Sequence, residues 1–107
     1  MRKAKKLNEK VVCADGFTMS VQANETAYCE PRIDNADTYT EVEVGFPSCY
    51  EPLLMQWIEG TKAEATETVY GYVPSQQIAL ICAKHGGIVS GELPAGVAYI
   101  EVKDESR

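Results

Sequence analysis

One short segment constrains the fold of this chain more than any other, because it has the sequence form of a β-hairpin. Asp15 and Gly16 lie between residues 10–14, which are mostly apolar, and residues 17–23, in which apolar and polar side chains alternate. Asp-Gly is the preferred pair for a two-residue type I′ turn, since both of its central residues need a positive φ. We therefore expect two antiparallel strands joined by this turn.

The register of the hairpin follows from the length of its turn. A two-residue turn pairs Ala14 with Phe17, which places Val12 opposite Met19 on the buried face. Cys13 then lies on the polar face, and a shift of one residue would reverse the assignment.

Further along the chain, the apolar pattern changes period several times and so predicts both strands and helices. Alternating residues indicate strands, and an apolar residue at every third or fourth position indicates a helix. The pattern predicts strands over residues 38–46, 68–73 and 97–102 and helices over residues 50–59 and 75–85, with residues 88–89 as the candidate for one further short strand.

The order β-β-β-α-β-α-β indicates an α+β fold. The hairpin at the start favours a mostly antiparallel sheet of four to six strands, with two helices packed on one face. The 107 residues are the size of a single domain. We expect residues 1–9 to form a flexible basic arm, residues 10–102 to form the domain, and residues 103–107 to fray.

Charge is unevenly distributed along the chain. The formal net charge is −6, but residues 1–10 hold five basic and one acidic side chain, whereas residues 11–102 hold three basic and thirteen acidic ones. The body of the protein therefore carries −10 and the arm +4. Such acidity is expected either to keep a small domain soluble or to attract a protein with a basic surface, and it disfavours direct binding of nucleic acid.

Compartment and chemistry follow from what the sequence lacks. No apolar run approaches the roughly 20 residues of a membrane span, and no apolar segment follows the basic start, so we expect a cytoplasmic protein with free thiols. Cys82 and His85 are the weak candidates for a metal-ligand pair or for a thiol nucleophile and its base. Two ligands do not make a zinc site, and no catalytic motif is present, so we expect no metal, no cofactor and no enzymatic activity.

The open face of the predicted sheet is the main candidate for a binding surface. Tyrosine combines a large, stiff contact area with a polar tip and is enriched at interfaces. Tyrosines also stabilise sheets through cross-strand pairs, so a purely structural role is the competing interpretation. The candidate partner-binding residues are Tyr39, Glu41, Glu43, Tyr70, Tyr72, Tyr99 and Glu101.

Four stretches of the chain, ADGFTMSVQA (residues 14–23), EVEVGFP (41–47), VYGYVP (69–74) and KHGG (84–87), resemble small proteins of tailed phages and prophages. The resemblance implies a phage context in a bacterial cytoplasm, where small acidic proteins bind and block host proteins. Anti-CRISPR and other anti-defence inhibitors are examples of that class.

Three hypotheses for function follow. The first is a stoichiometric inhibitor that binds a host nucleic-acid-binding complex, such as a CRISPR-Cas complex, through its acidic surface. The second is a phage accessory or structural protein that associates with itself, for instance as a homodimer. The third is a metal- or thiol-dependent activity at Cys82 and His85.

Overall fold

The fold is built on an antiparallel sheet. A computed structural model describes residues 7–102 of the chain. Within those residues the sheet has five strands in the order β4-β3-β2-β1-β5, which confirms the predicted α+β class. The strands are β1 (Val11–Cys13), β2 (Thr18–Gln22), β3 (Glu41–Gly45), β4 (Val69–Pro74) and β5 (Ile88–Ser90). The helices are α1 (Ser75–Lys84) and two 3₁₀ helices, Pro52–Trp57 and Lys62–Glu64.

The first hairpin forms as predicted, but its register is shifted by one residue. Val11 lies opposite Met19, and the side chains of Val11 and Cys13 are buried while Val12 is only half-buried. The cause is the turn: within it only Gly16 has a positive φ, and its N–H donates to the carbonyl of Cys13 at 2.9 Å. This is a three-residue loop with a glycine bulge, so the expectation of a two-residue turn is wrong.

A bulge in β4 decides which of its side chains face solvent. Val42 pairs with Val73 and Val44 with Tyr70, so β4 has one residue more than β3 between these pairs. The extra residue allows Tyr72 to adopt a φ of 57° and to stand 40% exposed, while Tyr70 and Val73 stay in the core.

The strand predicted over residues 38–46 is shorter than expected. Alternation over residues 38–46 would place Thr40, Val42, Val44 and Phe46 on one face, but only Val42 and Val44 are buried, whereas Thr40 and Phe46 are exposed. Phe46 has a φ of 50°, outside the extended region, so the alternation of the strand ends at Gly45.

The predicted helix at residues 75–85 is confirmed as α1, which ends in a Schellman motif. The N–H of Gly87 donates to the carbonyl of Cys82 at 2.8 Å, and that of Gly86 donates to the carbonyl of Ala83 at 3.1 Å. Both glycines have a positive φ. The fully buried residues of the helix are Ile78, Ile81 and Cys82.

Two other predicted elements differ from the structure. The helix expected at residues 50–59 is the 3₁₀ helix Pro52–Trp57, six residues long and capped by Glu51. The strand expected at residues 97–102 does not form. There the chain turns, with the Val97 N–H donating to the carbonyl of Pro94, and afterwards makes only an isolated bridge to β5.

Irregular segments partly cover both edges of the sheet. At β4 the N–H of Tyr72 donates to the carbonyl of Tyr28 at 3.0 Å, and at β5 the N–H of Ile88 donates to the carbonyl of Ile100 at 2.7 Å. These bonds reduce the free backbone through which the sheet could pair with a second copy of itself.

The body of the protein starts earlier than residue 10. The backbone N–H of Asn8 donates to Gln22 Oε1 at 2.9 Å, and that of Glu9 donates to Glu92 Oε1 at 2.7 Å. Asn8 and Glu9 therefore belong to the body and not to the arm, whose residues 1–6 lie outside the described residues, as do residues 103–107. Among the described residues, no helix has both the length and the apolar character that crossing a bilayer requires.

Candidate functional site

The chain's one histidine is held by carboxylates at both ring nitrogens. His85 Nδ1 lies 2.6 Å from Asp15 Oδ2, and Nε2 lies 2.6 Å from Glu51 Oε1. Two acceptor carboxylates require a hydrogen on each nitrogen, which is the imidazolium form. The ring also stacks on Phe17, with centroids 4.1 Å apart and planes 11° from parallel. We name Asp15, Glu51, Lys84 and His85 the His85 cluster.

Glu51 is the buried centre of this cluster, with only 1% of its surface exposed. Its Oε2 accepts the backbone N–H of Leu53 and the ammonium of Lys84, both at 2.8 Å, while its Oε1 faces His85. A buried carboxylate is tolerated when such donors replace water. Glu51 precedes Pro52 in the N-cap position of the 3₁₀ helix, so the local sequence places it there.

The pKa values of Asp15, Glu51 and His85 each shift toward the charged form. Burial by itself would lower the pKa of His85, but its hydrogen bonds to Glu51 and Asp15 outweigh burial and raise that pKa. Burial would raise the pKa of Glu51, but the donors Lys84, Leu53 N–H and His85 outweigh it and lower that pKa. The backbone N–H of Phe17, and then His85, lower the pKa of Asp15. Two carboxylates and two cations therefore balance one another.

The surroundings of His85 and Cys82 bear on the hypothesis of a metal or thiol site. Neither nitrogen of His85 is free to accept a proton or to bind a metal. Burial raises the pKa of Cys82 to about 12 and also raises that of Cys13, so both thiols stay protonated at neutral pH. No group of three or more potential metal ligands occurs within residues 7–102. The geometry thus gives no support to a metal or thiol site at Cys82 and His85.

A second unusual region lies at the edge of β4. The rings of Tyr28 and Tyr72 stack with centroids 5.9 Å apart, and the two residues are 38% and 40% exposed. The guanidinium of Arg32 lies 5.3 Å from the centroid of the Tyr28 ring. We name Tyr28, Arg32, Glu43, Glu59 and Tyr72 the tyrosine edge.

Gly71 explains how these side chains come together. A Cβ atom at Gly71 would lie 2.7 Å from Glu59 Oε2 and 3.2 Å from Tyr28 Cβ, so both side chains occupy space that any larger residue would fill. On the neighbouring strand, Glu43 Oε2 accepts the backbone N–H of Tyr28 at 3.4 Å. Two carboxylates therefore lie beside Tyr28, with Arg32 as the cation.

Two of the tyrosines predicted for the open face are in the core instead. Tyr39 is 4% exposed and donates its hydroxyl to the carbonyl of Ile33 at 2.7 Å. Tyr70 is fully buried and donates its hydroxyl to the carbonyl of Ala65 at 2.6 Å. The expectation that they face solvent is wrong, because Tyr39 precedes the start of β3 and the bulge separates Tyr70 from Tyr72.

The other predicted surface residues fall into two groups. Glu41 and Glu43 are half-buried on β3, next to the exposed Tyr72 of β4. Tyr99 and Glu101 are exposed, but they lie beyond β5 at the opposite edge of the sheet. Four strand spacings separate β4 from β5, which amounts to about 19 Å. The seven residues therefore do not form one continuous surface.

Sequence reasoning missed Tyr28, Glu59, Asp15 and Glu51. Tyr28 lies in a polar connection without periodicity, and only the small residue between Tyr70 and Tyr72 hints that another side chain packs there. Glu51 had a usable signal, since an acidic residue directly before a proline is typical of a helix start.

Comparison with known proteins gives no match: no family model, no curated protein and no solved structure matches this chain. The resemblance to phage and prophage proteins therefore stays a prediction.

Proposed function

We propose that this protein acts without catalysis, by binding another protein through the tyrosine edge. The observation that carries the proposal is Tyr72, which is exposed although its φ is 57°. A left-handed backbone costs an ordinary residue about 1–2 kcal/mol, whereas glycine adopts it freely. Strained residues cluster at sites of binding and switching, so the strain supports a binding role for Tyr72.

The charge of the body favours a partner with a basic surface. Residues 7–102 contain only four lysines and arginines against fourteen acidic residues. Three of those cations have partners inside the molecule: Arg32 over Tyr28, Lys62 over Tyr50 and Lys84 on Glu51. Complementary charge speeds association and excludes wrong partners. The same carboxylates repel phosphates, which disfavours nucleic acid as the direct ligand.

The narrower form of the proposal is a stoichiometric inhibitor in the bacterial cytoplasm. Its target would be a nucleic-acid-binding complex of the host, such as a CRISPR-Cas complex. An acidic domain that covers a basic groove competes with the nucleic acid backbone for the same charges. Inhibition of this kind needs no catalytic group, in keeping with a His85 whose ring nitrogens are both occupied.

Affinity capture with matched variants tests the proposal. The immobilised protein is incubated with a bacterial lysate and, separately, with a purified CRISPR-Cas effector complex, and retained proteins are identified by mass spectrometry. We expect Tyr72→Ala and the charge-reversed Glu41→Lys/Glu43→Lys variant to lose the partner. Tyr99→Ala should keep it, because Tyr99 is 42% exposed, close to the 40% of Tyr72, but lies at the other edge of the sheet.

Two results would contradict the proposal. Equal retention of the partner by wild-type protein and Tyr72→Ala would exclude the tyrosine edge as the binding surface. Retention of nothing but a second copy of the chain, with a dimeric mass in light scattering, would favour the self-association hypothesis instead.

A further inference from the structure

We infer that the tyrosine edge contains a binding site for one arginine side chain of the partner, formed by the exposed ring of Tyr72 and the carboxylates of Glu43 and Glu59. This inference rests on the proposed function and specifies the chemistry of its contact.

Two of the exposed tyrosine rings in this protein have a cation of the same molecule over them. The guanidinium of Arg32 lies 5.3 Å from the ring centroid of Tyr28, and the ammonium of Lys62 lies 5.1 Å from that of Tyr50. Cations take such positions because the face of an aromatic ring is electronegative. Among the described residues, no cation lies over Tyr72, although it is as exposed as Tyr28. The ring of Tyr72 can therefore bind a cation in the same way, and no cation of the described residues lies over it.

The carboxylates around Tyr72 leave a local excess of negative charge. Glu43 lies opposite the bulge that contains Tyr72, and Glu59 lies against the preceding residue, Gly71. Arg32 is the one cation of the tyrosine edge, so two carboxylates face a single positive charge. In the His85 cluster, by contrast, the charges are equal in number. The tyrosine edge therefore has a net negative charge that one more cation would neutralise.

Arginine fits this site better than lysine for two reasons. A guanidinium is planar, so it can stack on the Tyr72 ring while its N–H groups reach the carboxylates beside it. It is also less strongly hydrated than an ammonium and loses less on leaving water. Arg32 on Tyr28 is an internal example of the same contact.

The backbone strain at Tyr72 also fits this role. With a φ of 57°, Tyr72 stacks its ring on that of Tyr28, and 40% of the residue stays exposed. A ring held in this way loses little conformational freedom when a ligand binds.

A short peptide tests the arginine site separately from the partner. We would titrate a pentapeptide with two arginines, blocked at both ends, into the isotope-labelled protein and follow the aromatic NMR signals, with a glutamine-substituted peptide as the neutral control. We expect the arginine peptide to shift the signals of Tyr72 and Tyr28, and the glutamine peptide to shift neither. A lysine peptide should bind several-fold more weakly.

Two sets of variants show which side chains bind the arginine peptide. Tyr72→Phe keeps the aromatic face and should bind as the wild type does, whereas Tyr72→Leu should weaken binding by about 3- to 5-fold, the value of an exposed cation–π contact. Glu43→Gln/Glu59→Gln should weaken binding of the arginine peptide and make that binding less sensitive to salt. The control Glu67→Gln/Glu101→Gln removes the same charge from exposed residues elsewhere and should change binding less.

The outcomes separate the arginine site from the proposed function. If the arginine and glutamine peptides bind equally, or if Tyr72→Leu binds the arginine peptide as the wild type does, the arginine site is wrong. The binding surface would still stand if capture of a protein partner depends on Tyr72. If capture is independent of Tyr72, the proposed function is wrong, whatever the peptide does.

Discussion

The His85 cluster and the tyrosine edge contain similar groups arranged to opposite effect. Each combines carboxylates, cations and an aromatic stack, but in the His85 cluster every carboxylate meets a donor at short distance and Glu51 is buried. In the tyrosine edge the rings are exposed, the carboxylates outnumber the cations, and the backbone at Tyr72 is strained. The difference teaches that balanced charge accompanies burial in this fold, whereas the excess of carboxylates and the strain at Tyr72 are the features on which the proposed binding surface rests.

His85, one of the two weak metal or thiol candidates of the sequence, has a structural role in the His85 cluster. The Lys-His-Gly-Gly stretch ends α1, where its cations meet Asp15 and Glu51 from two other elements of the fold. A histidine between two carboxylates joins the hairpin turn, the 3₁₀ helix and α1. His85 thereby helps to hold these three elements in position relative to one another.

The largest expected effect comes from removing the buried carboxylate. Glu51→Ala leaves Lys84 and His85 without their shared partner and the Leu53 N–H without its acceptor. Breaking a buried ion pair on one side costs about 3–5 kcal/mol. Because Lys84 is 44% exposed and can regain water, we expect the lower end, about 3 kcal/mol of the free energy of unfolding, measured by urea denaturation.

Glu67→Ala is the matched control for this experiment. It removes the same charge from an exposed side chain, so its effect should stay within about 0.5 kcal/mol. Similar losses in both variants would mean that the His85 cluster adds no more stability than an isolated surface charge.

A smaller effect should follow from titrating His85, since Lys84 remains on Glu51 when the imidazolium loses its proton. The pKa of His85 is raised above its ordinary value of 6.5, so its stabilisation is complete below pH 6.5 and is lost as the pH rises through the raised value. The pKa of Glu51 is lowered from 4.5 and that of Asp15 from 3.8, so their stabilisation is present above pH 4.5 and is lost at lower pH. The cluster should stabilise the fold most in weakly acidic solution.

Unfolding by urea at a series of pH values from about 5 to 9 checks this expectation. The free-energy difference between wild type and His85→Gln should shrink as the pH rises, because glutamine does not titrate. A difference that is constant across the series would contradict the charged form of His85.

The fold was more predictable from the sequence than the two sites. Period-two and helical patterns located β1, β2, β4 and α1, because buried apolar side chains set those periods. The predicted register of the hairpin was wrong because the turn has one residue more than expected. The predicted exposure of Tyr39 and Tyr70 was wrong because strand ends and bulges change the face to which a side chain points. Contacts such as Asp15 with His85 join residues 70 positions apart, and no local pattern encodes them.

The strain at Tyr72 gives the next expected effect, about 1 kcal/mol. Tyr72→Gly and Tyr72→Ala both remove the ring, but only glycine adopts a φ of 57° without strain. Tyr72→Gly should therefore be the more stable of the two by about 1 kcal/mol in urea denaturation. At Thr18, in the regular strand β2, alanine should be the more stable replacement. If the glycine and alanine variants have the same order of stability at both positions, the result gives no evidence of backbone strain at Tyr72.

The smallest effect on stability, and the sharpest test of the tyrosine edge, should come from Gly71→Ala. The new methyl group would lie 2.7 Å from the flexible carboxylate of Glu59 and 3.2 Å from Tyr28 Cβ, so both side chains must move slightly. The gain from a stiffer unfolded chain, about 0.4–1 kcal/mol, should offset most of that cost. We therefore expect nearly unchanged unfolding by urea but shifted NMR signals of the Tyr28 and Tyr72 rings and weaker partner binding. Gly45→Ala is the control, since its methyl group would meet only ordinary contacts at 3.7 and 3.8 Å. If Gly71→Ala binds the partner as tightly as Gly45→Ala does, the fit of Tyr28 and Glu59 over Gly71 has no part in recognition.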